Sequence, residues 1–207
     1  MVKVVKILLI YLFLCIFYSY RLLQVPSGLT ADEGAFGYNA VLLSRTLHDE
    51  NGRFMPFFVL SLNGTDWRQP VTQYYLTALF KILPPDVFTL RFSSVIVAAV
   101  SVLLTWGVFG IVPALIVATT PLIMIQAHMG LDNIMPVPLT LLWIWGLMQF
   151  RSHAKFRYLV LSALALGMSF YSYKGMRAIV PIWSILSALY LWPKLKSILV
   201  FSLSISP

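Results

Sequence analysis

Acidic residues are scarce in this chain: seven among 207 residues, against fifteen Lys and Arg. Charge of either sign is thin, at 11% of residues, where a soluble domain carries about 25%. With 59% hydrophobic residues and a mean hydropathy of +0.85, such a chain cannot cover its surface with polar groups. That excludes an ordinary soluble domain and makes lipid the solvent for much of it. There is one cysteine, Cys15, so no internal disulfide forms. His48, His128 and His153 stand far apart, and no Cys/His spacing of a metal site occurs. The net charge of +8 is not gathered into basic, aromatic-interleaved patches, which argues against nucleic acid as a partner. No internal repeat and no low-complexity tract is present.

What is there is a succession of apolar runs. Val4 to Leu23 follows Lys3 and Lys6 and is too long for a signal-peptide core, with no small-x-small cleavage site. It is expected as a retained first span, with Arg21 snorkelling near its outer end. Phe92 to Ala127 contains no charge. As one helix its 36 residues would run roughly 54 Å, against about 30 Å of hydrocarbon, so two spans with a turn at Gly107, Gly110 and Pro113 are expected. Further spans are expected at Ile134–Phe150, Tyr158–Tyr173 and Ala178–Trp192. A seventh apolar stretch starts at Ser197 after Pro193-Lys194-Leu195-Lys196 and is too short to cross. The expected fold is an all-α integral membrane protein with about six to seven transmembrane helices. It divides into a first helix (1–23), an outer loop (24–86) and the remaining spans (87–207).

Residues 24–86 hold six of the seven acids: Asp32, Glu33, Asp49, Glu50, Asp66 and Asp86. Thr30 and Glu33 have capping-box spacing, which predicts an amphipathic helix over Ala35–Leu47. Asp49-Glu50-Asn51-Gly52 and Asn63-Gly64-Thr65-Asp66 read as turns. Asn63-Gly64-Thr65 is also a glycosylation sequon, taken as chance. Phe54 to Phe58 suits a segment lying at the membrane interface. Pro70 opens a second short helix to Leu79, with Tyr74 and Tyr75 as interfacial aromatics, and Asp86 caps the next span.

Alternation from an inner N-terminus puts Lys3, Lys6, Arg151, Lys155, Arg157, Lys194 and Lys196 inside and all seven acids outside. The positive-inside rule asks for that pattern. The expected location is the cell membrane, multi-pass, with the acidic loop on the outer face.

On that face Asp32 and Glu33 stand in the first turn of a helix, where carboxylates favour the positive dipole end. The same placement suits a base towards a hydroxyl or amine, or a hold on a divalent cation near a phosphate. No metal ligand set is visible, and no cofactor is assigned. Asp132 lies in a tight loop between spans, an expensive place for an acid unless it has work to do. Lys174 and Arg177 occupy another tight loop and can hold a phosphate or snorkel. Arg91, one turn into the second span, snorkels or pairs with an acid. Trp67-Arg68-Gln69-Pro70 can stack on and hydrogen-bond a sugar, or anchor the loop.

Asp32-Glu33 with Gly37-Tyr38, Asn51-Gly52, Pro56, Trp67-Arg68-Gln69-Pro70, Tyr74-Tyr75 and Arg91-Phe92-Ser93-Ser94 resemble the N-terminal part of the GT-C glycosyltransferases. The branch is that of the dolichyl-phosphate-mannose protein mannosyltransferases and lipid A aminoarabinose transferases. Pro121 with Gly130-Leu131-Asp132 resembles that family's second outer-loop motif, with His128 near the place of its usual basic residue. Tyr171 to Gly175 resembles the end of its fifth span. The resemblance implies transfer of a sugar from a polyprenyl-phosphate carrier to a lipid, protein or glycan acceptor, with inversion at the sugar carbon. It implies Asp32 as base with Glu33 beside it, Asp132 as auxiliary acid, and Lys174 or Arg177 at the carrier phosphate. Relatives are much longer, so the chain is expected to be a truncated part. Two other expectations stand beside it: a multi-pass transporter or lipid-binding protein, and a non-catalytic remnant of the transferase.

Overall fold

A computed structural model describes residues 2–62 and 64–205, with side chains over 4–62 and 64–193, and the sequon residue Asn63 lies outside them. Helices dominate, in the order α1 (Val2–Tyr18), α2 (Ala31–Thr46), α3 (Pro70–Ile82), α4 (Val87–Phe109), α5 (Ile111–Thr119), α6 (Pro121–Ala127), α7 (Pro136–His153), α8 (Phe156–Phe170) and α9 (Met176–Ile205). The all-α expectation holds, with one short antiparallel hairpin added, β1 (Val59–Ser61) and β2 (Asp66–Arg68). Gly64 lies between its strands, and Asn63-Gly64 in the sequence is a strong hairpin signal when apolar and polar residues alternate on either side.

Local chemistry sets most helix starts. The Thr30 hydroxyl accepts from the Glu33 N–H and the Glu33 carboxylate accepts from the Thr30 N–H, so α2 begins with a closed capping box. Asp86 caps α4 by accepting from the Thr89 N–H at 2.7 Å. Pro70 and Pro136 occupy first-turn positions where a missing N–H costs nothing.

The expected six to seven spans are not all of spanning length. Among the described residues two helices are long and apolar enough to cross a membrane, Val87–Phe109 and Met176–Pro193. The first run stops at Tyr18, five residues early, and Ser19 to Gln24 turn. The third breaks into α5 and α6 because Pro121 has no N–H to continue the ladder and forces Thr120 to extended backbone (ψ 124°). α8 has 15 residues. The break expected at residues 193–196 is missing: α9 runs on through Pro193, joining the sixth and seventh expected stretches.

Three apolar clusters hold the elements together. Leu14 and Tyr18 of α1 pack on Val95 and Ala98 of α4 and Ala118 of α5, and the Tyr18 hydroxyl donates to Ala118 O at 2.9 Å. Trp143 and Leu147 of α7 pack on Leu166 of α8 and Val180 of α9. Gly146 lets α7 and α8 close up, since a Cβ there would stand 2.9 Å from Tyr158 O. Phe36, Ala40, Leu76 and Phe80 seat the pair α2–α3 on Leu90 at the start of α4. Away from these contacts, large apolar side chains face outward, among them Leu12 and Ile16 on α1, Val112 and Ile116 on α5, and Ile182 and Leu189 on α9.

Candidate active site on the platform

The platform formed by α2, the hairpin and α3 is anchored by a buried ion pair. Glu33 and Arg91 are 0% and 1% exposed, with Arg91 Nε donating to Glu33 Oε1 at 2.9 Å. The remaining Arg91 donors reach Leu22 O, Pro26 O and Gly28 O, closing the chain between α1 and α2 around the guanidinium. Glu33 also accepts from the N–H of Gly130 at 3.1 Å. Gly130 must be glycine for this approach, because a Cβ would lie 2.5 Å from Leu90 Cγ. Burial pushes the Glu33 carboxyl up, but hydrogen bonds from Arg91, Thr30 and Gly130 and the Arg91 charge outweigh it and hold the group below its usual 4.5.

Of the readings open for these two residues, the structure holds the structural ones: Glu33 closes the capping box with its carboxylate filled by donors, and Arg91 pairs with an acid, Glu33, rather than snorkelling.

Asp32, one residue earlier on the helix, points the other way. Its side chain is 57% exposed and accepts from Arg68 Nη2 at 2.8 Å. Arg68 is nearly buried at the end of β2. Its Nε donates to Ser61 Oγ at 2.8 Å, its Nη1 stands 3.3 Å from Asp66 Oδ2, and its Cζ lies 4.7 Å over the Phe36 ring. The guanidinium is thus fixed by the hairpin before it meets Asp32. Arg68, from the stretch read as either a sugar contact or a loop anchor, is the ion-pair partner of the exposed carboxylate.

Asp66, read from sequence only as a turn residue, joins the cluster. It pairs with Arg68 and with Nζ of Lys174, from the turn between α8 and α9. Arg177, just inside α9, donates from Nη2 to Gln69 Oε1 at 2.9 Å and lies over the Phe58 ring. Lys174 and Arg177 are both exposed and are brought to the Arg68 side of the platform. Asp132 lies within the field of the same charges. Burial pushes its carboxyl up to about 6, against the opposing pull of Arg68 and Lys174, with Asp32 adding to the rise.

Tyr74 and Trp67 belong to the same platform. The Tyr74 hydroxyl donates to Pro56 O at 2.7 Å and braces the 54–58 loop on α3, a structural task. Trp67 is exposed, and the Arg53 guanidinium lies 5.1 Å over its ring. Among the described residues no three His, Cys, Asp or Glu side chains come together as metal ligands.

The arrangement offers one accessible carboxylate, a second half-buried one with a raised proton affinity, and three cations within the same charged cluster. A proton acceptor beside fixed positive charge suits attack by a hydroxyl on a centre that carries an anionic leaving group. No family model, curated protein or solved structure matches this chain.

Proposed function

We propose that the chain works as a polyprenyl-phosphate-sugar-dependent glycosyltransferase of the GT-C kind at the outer face of the cell membrane. The observation that carries this reading is the exposed Asp32 carboxylate held at 2.8 Å by a buried, prearranged Arg68 within a cluster of opposite charges. In the proposed reaction Asp32 takes the proton of the acceptor hydroxyl. The acceptor oxygen bonds to the sugar carbon from the face opposite the carrier, and the bond from that carbon to the phosphate oxygen breaks. Lys174 and Arg177 receive the phosphate charge released on the carrier, as a point charge and a planar fork. Asp132 is a second proton site in the same field.

An apolar groove of about 320 Å³ supports a lipid-borne donor. It is lined by Val25, Pro26, Met124 and Ile125 and edged by Thr30, two residues before Asp32. In this reading α1, α4, the α5–α6 pair, α7, α8 and α9 make six passes with the N-terminus inside. The apolar side chains facing outward on α1, α5 and α9 support that arrangement.

A transporter would carry ionisable groups near mid-bilayer. Beyond Arg91 in its second turn, α4 carries hydroxyls bonded to helix carbonyls, Ser101 to Val97 and Thr105 to Ser101, and on α8 Ser162 donates to Trp143 O of α7. The deciding experiment is sugar transfer in membranes from a labelled polyprenyl-phosphate sugar, comparing the chain with Asp32→Asn at matched membrane levels. Transfer that disappears in Asp32→Asn is expected; equal transfer in both sinks the reading.

A further inference from the structure

Far from the platform, α7 and α9 leave a groove of about 270 Å³ lined by Trp143, Ile144, Leu147, Leu186, Ser187 and Tyr190. α7 starts beside the Gly130 loop and climbs 18 residues, roughly 27 Å, so its last turn lies at the opposite end of the bundle. Apart from the Tyr190 hydroxyl at its end, the polar side-chain groups on the described groove wall are already satisfied. Trp143 Nε1 donates to Ser187 Oγ at 3.0 Å, and Ser187 Oγ donates to Trp183 O at 2.6 Å. Between Trp143 and Ser187 such a wall offers little to water or a polar ligand and suits an alkyl chain.

The groove ends at a cation. The Arg151 guanidinium sits 4.4 Å over the ring of Tyr190, itself part of the lining. Arg151 is exposed and pairs with no carboxylate among the described residues. His153, Lys155 and Arg157 follow at the same end, and this stretch has no acid. An apolar slot capped by an unpaired, ring-held guanidinium in a basic field is complementary to an amphiphile with an anionic head.

We propose that this groove is a binding site for an anionic glycerophospholipid of the inner leaflet, one acyl chain lying along Trp143 to Tyr190 and the phosphate on Arg151. The site rests on the membrane reading above but not on the transfer chemistry, and it stands at the other end of the bundle from Asp32.

The test is native mass spectrometry of the purified chain from detergent, with phosphatidylglycerol and phosphatidylcholine of identical acyl chains as competing probes. About fivefold preferential retention of phosphatidylglycerol is expected, the size of one basic contact near a membrane surface. Arg151→Gln is expected to abolish the preference. Arg157→Gln, at the same end but outside the groove, keeps it. Leu186→Trp fills the slot from its exposed side with Arg151 in place and is expected to lose the retained lipid. Equal loss in Arg151→Gln and Arg157→Gln would mean a general basic surface and overturn the site. So would equal retention of the two lipids, or a lipid-free dimer whose contact Leu186→Trp breaks.

Discussion

Arg68 Nη2 lies 2.8 Å from Asp32 Oδ1, and the two side chains differ sharply in setting: 6% exposed against 57%. The cation is fixed and the carboxylate is accessible. Their pairing leaves Asp32 one oxygen free for a proton while its orientation is held. Asp32→Asn keeps the shape and removes the base. We expect a loss of transfer of about 10²–10⁴-fold, with thermal unfolding in detergent close to wild type. A variant that transfers normally removes Asp32 from the chemistry.

Glu33 is expected to behave in the opposite way. Glu33→Gln or Arg91→Leu leaves one buried charge without its partner, at a cost of about 3–5 kcal/mol. Urea or thermal unfolding should show it as a large loss of stability, and whatever folds should retain the Asp32 chemistry. The pH dependence follows from the lowered affinity of Glu33 for a proton. Its contribution is present above the ordinary 4.5 and is lost as pH falls through its lower value in the fold. Arg91→Leu should flatten that acid limb.

Asp132 titrates the other way. With its proton affinity raised from 3.8 to about 6, the protonated form is favoured by the fold. Its contribution is therefore full below 3.8 and fades as pH rises through about 6. Asp132→Asn should remove a step near pH 6 from the stability profile. If the residue also takes part in transfer, the same step should vanish from the rate profile; a rate step near 6 that survives the substitution belongs to another group.

Lys174 meets Asp66 at the exposed edge of the cluster, where an incoming phosphate can exchange for the carboxylate. Lys174→Gln should raise the KM for the carrier about tenfold, the size of one charge-assisted contact, with a smaller change in kcat. A change confined to kcat would place Lys174 away from the bound phosphate.

How much of this was legible in the sequence depends on the range of the interaction. The capping box of Thr30 and Glu33, the Asp86 cap and the start at Pro70 are local, and spacing alone predicts them, while the span expected from Ile134 starts as α7 at Pro136. The pairing of Glu33 with Arg91 spans 58 residues, and that of Asp66 with Lys174 spans 108. Locally, spacing marks Glu33 only as the capping-box partner of Thr30; the separation of the two acids into a buried anchor and an exposed carboxylate comes from which face of α2 meets α4. The hairpin was signalled by Asn63-Gly64 between Val59-Leu60-Ser61 and Asp66-Trp67-Arg68, where it was read only as a turn. Hydropathy counts apolar residues and is blind to the stop that Pro121 imposes, so the third span looked whole.

The platform also touches the bundle on its far side. The N–H of Val71 donates to Tyr171 O at 3.2 Å, and the Thr72 hydroxyl donates to Ser172 O at 3.0 Å. With Glu33 on Arg91 at one edge and α3 on the α8 end at the other, the platform is bolted at two points to helices of fixed length. On the membrane reading proposed above, the height of Asp32 over the bilayer is then a dimension of the molecule, like the reach of a gantry. A thicker or thinner membrane would not move the carboxylate relative to the helices; it would only bring lipid headgroups nearer to it or carry them away. For the proposed donor, the depth at which a lipid presents its phosphate would then be a selection criterion in its own right, independent of the sugar it carries.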